Sequence, residues 1–89
     1  MSKEFHWTYV CMKHQEEKTG EVWYAIHELY SHGFVKKGKK SWTDTPIEPI
    51  GESVGELRKV LKMMLKDTYR NPTFDYKTGK IVKEKRKRL

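Results

Sequence analysis

The stretch that most constrains this chain runs from Ser53 to Arg70, SVGELRKVLKMMLKDTYR. Val54, Leu57, Leu61, Met64 and Leu65 recur at intervals of three and four, which places them on one face of an α-helix. Ser53 followed by Glu56 reads as a capping box. The Ser hydroxyl accepts from the Glu56 N–H, and the Glu56 carboxylate reaches back to the Ser53 N–H. Arg70 suits the negative pole of the helix, and Asn71-Pro72 stops it. At the usual rise, residues 54–70 span about 25 Å, enough to cross three strands.

Two strands precede this helix. From Phe5 to His14, Phe5, Trp7, Tyr9 and Cys11 alternate with His6, Thr8, Val10 and Met12, the period-two pattern of aromatic and β-branched residues in a strand. Glu16-Glu17-Lys18-Thr19-Gly20 is a polar hairpin loop ending in Gly. Glu21 to Ser31 is the return strand, and bulk on both of its faces marks it as central. Residues 33–40 form a loop, and Ser41-Trp42-Thr43 a short third strand. Pro46 and Pro49 make residues 44–51 an edge piece or a crossover. Phe74-Asp75-Tyr76 is briefly β-like, Lys77-Thr78-Gly79 is a turn, and Ile81 and Val82 form a minor returning strand. No internal repeat is expected. The economical architecture is α+β, a small antiparallel sheet of about three strands with one amphipathic helix packed across one face. Its expected core is Phe5, Trp7, Tyr9, Tyr24, Ile26, Leu57, Leu61, Met64 and Leu65. The face of the second strand that meets the helix stays open, because a one-residue slip exchanges the two.

Eighty-nine residues make one domain, expected over residues 1–76, followed by a basic tail at 77–89. One cysteine, Cys11, rules out an intramolecular disulfide and points to a reducing compartment. The N-terminus lacks the apolar run of a signal peptide, and no stretch is apolar enough to cross a bilayer. A cytoplasmic protein with no membrane partner is expected. The net charge is +7, of which residues 77–89 carry +6. A second cluster, Lys36, Lys37, Lys39 and Lys40, falls in the loop.

The residues offer little chemistry. Alternation puts Cys11 on the opposite strand face from His6 and His14, His27 and His32 share no face, and no CxxC or HExxH spacing occurs. No metal site and no cofactor are expected. His27 and Glu28 are adjacent and point to opposite faces, so they cannot act together on a substrate. Cys11 reads as a small core hydrophobe. There is no Gly-rich phosphate loop, and Glu52 and Glu56 repel anions from the helix N-terminus. No catalytic residue emerges, and the chain reads as a non-enzyme.

Binding has the better case. Lys36, Lys37, Lys39, Lys40, Lys83, Lys85, Arg86, Lys87 and Arg88 are candidates for contacting nucleic acid or an acidic partner, with sheet aromatics for stacking. Charge runs of this kind also serve simply as solvated surface. The outward helix face mixes Lys59, Lys62, Lys66 and Arg70 with Glu56 and Asp67. Val10, Met12, Trp23 and Leu29 are candidates for an apolar protein interface on the sheet face away from the helix, with Met63 a further exposed apolar point. The competing reading covers that face with the hairpin around Phe74 and Ile81. Monomer and homodimer both remain open.

Three segments, WYAIHELY at 23–30, SWTDTP at 41–46 and GESVGELRKVLKMML at 51–65, together resemble a group of short, functionally uncharacterised proteins of bacteria and their phages. That group shows a W-Y-x-I-H-E-x-Y strand, a W-T-[DE]-x-P turn and a G-E-S-x-E-E-L-R helix start. Gly55 departs from the Glu at that position and lowers helix propensity by up to ~1 kcal/mol. The resemblance spans roughly residues 5–70. It implies a fold and no mechanism. Its phage members imply, as an alternative function, an inhibitor or modulator that binds a host protein through the exposed sheet face.

Overall fold

The computed structural model describes residues 6–31 and 40–83. Strands β1 (His6–Gln15) and β2 (Val22–Ser31) form an antiparallel hairpin, and β3 (Lys40–Trp42) pairs antiparallel with β2. Helix α1 (Val54–Arg70) follows, then the two-residue strand β4 (Phe74–Asp75). The strand order is β3-β2-β1-β4, and β4 runs parallel to β1. The α+β class is as expected, but the sheet is mixed and four-stranded rather than three-stranded and antiparallel. Connectivity explains the difference. β3 already runs in the direction of β1, and a helical crossover returns the chain in that same direction. Past β3, Thr43 N–H donates to Glu28 O at 3.1 Å and Ile47 N–H to Ile26 O at 2.8 Å, so residues 43–47 continue along the β2 edge.

Ser53 caps the helix as its sequence requires, its hydroxyl accepting from Glu56 N–H at 3.1 Å. The reciprocal half of the box shifts by one residue. The Glu56 carboxylate accepts from Glu52 N–H at 2.9 Å rather than from Ser53. At the other end, the helix is fastened to β1 by side chains. Asp67 Oδ2 accepts from Tyr9 N–H at 3.2 Å and Thr8 Oγ1 at 3.1 Å, while Asn71 Nδ2 donates to Tyr9 O and Thr8 Oγ1 at 3.0 Å each.

The interior lies on the sheet face that the alternation had assigned to an interface. Val10, Met12 and Phe74 are its buried cluster, with Leu29, Trp42 and Tyr76 packed against it. Tyr9 and Met64 are buried outside that cluster. Of the other expected core residues, Trp7, Tyr24, Leu61 and Leu65 are exposed, Ile26 and Leu57 are half-buried, and Phe5 lies outside the described residues. The physical reason is closure. The turn after β4 reaches β3, so closely that a Cβ on Gly79 would sit 2.5 Å from Trp42 Cη2. Phe74, Tyr76 and Trp42 thereby cover the face that carries Val10 and Met12, and the competing reading, a hairpin lid around Phe74, is the one the fold adopts. Residues 77–82, expected in the tail, belong to this lid. Ile81 bridges to Phe74, and Val82 N–H donates to Thr73 O at 2.8 Å.

The two reversals, Glu16 to Glu21 and Asp75 to Lys80, have the same construction. Glu16 N–H bonds Glu21 O as Asp75 N–H bonds Lys80 O, both at 2.8 Å, and Gly20 N–H bonds Glu16 O as Gly79 N–H bonds Asp75 O. In each, the residue after Gly donates to the Thr hydroxyl at 3.1 Å. Gly20 and Gly79 take φ of 77° and 76°, a region where a Cβ meets its own backbone. Lys-Thr-Gly thus recurs as a structural unit that the sequence, read for repeats, did not disclose.

Candidate functional site

Register places even residues of β1 on the same face as odd residues of β2. His14, Trp23 and His27 therefore share a face, with only Ala25 between the last two on β2. Across this gap His14 Nε2 lies 2.9 Å from His27 Nε2. His27 is wholly buried, and its Nδ1 lies 3.0 Å from Thr43 O and 3.2 Å from Thr43 Oγ1. A carbonyl oxygen only accepts, so His27 Nδ1 carries its proton and donates to Thr43. His27 Nε2 is then an acceptor, and His14 Nε2–H donates to it. Burial holds the pKa of both rings below the ordinary histidine value. Proximity to His27 pushes His14 lower still, Asp75 opposes that shift, and the Thr43 carbonyl opposes the shift of His27.

Aromatic rings enclose the pair. His14 stacks on Trp23 with centroids 3.9 Å apart and an interplanar angle of 6°, and on Tyr76 at 4.3 Å and 22°. Tyr76 is held from both ends, its hydroxyl donating to Asp44 O at 2.9 Å and its N–H to Lys13 O at 3.0 Å. Beside the stack opens a cleft of about 390 Å³ between the two Lys-Thr-Gly reversals, walled by His14, Trp23, Tyr76, Lys13, Glu16 and Asp75. Lys77 and Glu17 bridge its rim at 2.5 Å.

Chemically, the arrangement positions rings. The Nε2 atoms of the two imidazoles face each other, and the buried one has no route to a substrate. Among the described residues no group of three His, Cys, Asp or Glu side chains converges to hold a metal ion. The pairing of His14 with His27 was missed in the sequence because it depends on hairpin register. The hairpin loop offered a signal, since its length fixes which residues of β1 and β2 share a face.

The expected interface residues separate. Val10 and Met12 are wholly buried and present no surface, which corrects their assignment as contact residues. Leu29 is half-buried against the same core, and Trp23 remains exposed but stacked on His14. Of the expected basic contacts, Lys83 is exposed at the end of the closing hairpin. Lys40 begins β3, and its side chain lies outside the description, as do Lys36, Lys37, Lys39, Lys85, Arg86, Lys87 and Arg88. The opposite sheet face carries Trp7 and Tyr24, 46% and 48% exposed. Among the described residues no helix is long and apolar enough to cross a membrane. No family model, curated protein or solved structure matches this chain.

Proposed function

We propose that the protein is a non-enzymatic binding protein that contacts single-stranded nucleic acid through its cations and the sheet face away from the core. The observation that carries this reading is the pair of half-exposed rings, Trp7 and Tyr24, on the sheet face opposite the buried cluster. Register sets Tyr24 opposite Lys13, and the sequence supplies further cations at Lys36, Lys37, Lys39 and Lys40. Rings on a sheet flanked by cations suit bases and phosphates together, since stacking accepts any base and Lys or Arg displaces counterions. The alternative, a modulator docking on a host protein through Val10, Met12, Trp23 and Leu29, loses most of its surface to the core.

Fluorescence anisotropy with a labelled single-stranded oligonucleotide tests the proposal. Affinity is expected to fall steeply with salt, to fall on deletion of residues 83–89, and to drop about tenfold in Trp7→Ala, one stacking contact's worth. Binding that ignores salt, or no binding at low ionic strength, removes it.

A further inference from the structure

At about 100° per residue, α1 divides into three sectors. Leu57, Val60, Met64, Asp67 and Thr68 form the one that is buried or half-buried. The next holds Leu61, Val54, Leu65 and Tyr69, all exposed, the last three 63%, 59% and 63% so, with Ile50 exposed just before the helix. The third holds Lys62, Lys66, Lys59 and Arg70, while Arg58 falls inside the apolar sector, between Leu65 and Tyr69. The two acids that were expected to dilute this basic row are engaged elsewhere: Glu56 caps the helix start, and Asp67 turns inward to Thr8 and Tyr9. Arg70 lies 3.9 Å from Asp67, but among the described residues no carboxylate pairs with Arg58, Lys59, Lys62 or Lys66.

An exposed apolar stripe beside an uncompensated basic row requires a partner that is apolar and anionic together. A second copy of the chain is a poorer fit, because antiparallel two-fold pairing of the stripes would set each basic row against its own copy. A polyanion alone would leave the stripe in water. We infer that the outer face of α1 is a docking surface for an anionic lipid membrane. Leu61, Leu65, Val54 and Tyr69 enter the headgroup boundary while Arg58, Lys62 and Lys66 meet the phosphates. Such attachment is peripheral, and it needs no spanning segment. It is also independent of the nucleic-acid reading, which uses the other surfaces.

Co-sedimentation of the full, nuclease-treated chain with phosphatidylcholine vesicles, with and without phosphatidylglycerol, tests the inference. Expected are binding to the anionic vesicles only, weakening with salt, and a loss of about tenfold or more in Leu61→Gln/Leu65→Gln. Lys62→Gln/Lys66→Gln should lose roughly thirtyfold. Both pairs are exposed, so their circular dichroism and melting should match the parent chain. Absent binding, equal binding to neutral vesicles, or parental binding by the Leu pair overturns the inference. So does loss of oligonucleotide binding by the Leu pair, which would make the face a general contact surface. Oligonucleotide binding without vesicle binding would sink this inference and leave the proposed function standing.

Discussion

The chain reverses direction twice with the same three residues, and the two reversals differ in everything but their backbones. At Lys18-Thr19-Gly20 the glycine has open space around it, with nothing within 4 Å of where a Cβ would stand. At Lys77-Thr78-Gly79 the glycine is buried under the Trp42 ring, and the neighbouring Tyr76 is clamped onto His14. Local sequence therefore decides the turn, while the surrounding packing decides what the turn is worth. The first merely joins two strands. The second closes the core.

The sharpest way to break this comparison is the same substitution made twice. Gly79→Ala combines left-handed backbone strain with a collision against a ring and should cost about 3 kcal/mol in denaturant unfolding. If Gly79→Ala melts like the parent chain, the closing role of the second turn is wrong. Acidification should come next in effect. Both His14 and His27 have folded-state pKa values below their unfolded ones, so the unfolded chain binds protons first and stability is lost as pH falls below about 6.5. Hydrogen exchange should then quicken at Gly79 before Gly20, and a His14→Gln/His27→Gln chain should lose this acid dependence. Equal quickening at both turns would separate the histidines from the lid. The smallest effect belongs to Gly20→Ala, which meets backbone strain alone and should cost about 1 kcal/mol in the same unfolding experiment.

What the residues disclosed in advance was whatever depends on neighbours in the chain. Ser53, Glu56 and Arg70 bounded α1 almost to the residue, and the alternation from Phe5 to His14 located β1 to within one position. The choice of sheet face was not legible, since Trp7 and Tyr9 on one side and Val10 and Met12 on the other are equally apolar. Phe74, Tyr76 and Trp42 settle it from three remote positions. The charge that the helix presents is not legible in the sequence for a related reason. A side chain such as Asp67 counts towards a surface only if it points there, and its bonds to Thr8 and Tyr9 are invisible in composition. The twin turns were in plain view as acidic-x-Lys-Thr-Gly, but a motif of five residues is too short to announce itself as a repeat.

The bonds from Asp67 and Asn71 to the Tyr9 backbone have a consequence for how copies of this protein behave when crowded. β4 pairs with only two residues of β1, so elsewhere along that rim the strand needs other partners for its outward amide and carbonyl groups. An exposed rim of this kind templates growth, adding strands from neighbouring molecules into fibrils. Here a carboxylate and an amide from the end of α1 occupy the positions where an incoming strand would bond. The helix thus also acts as a guard against self-templated aggregation along the outer rim of β1.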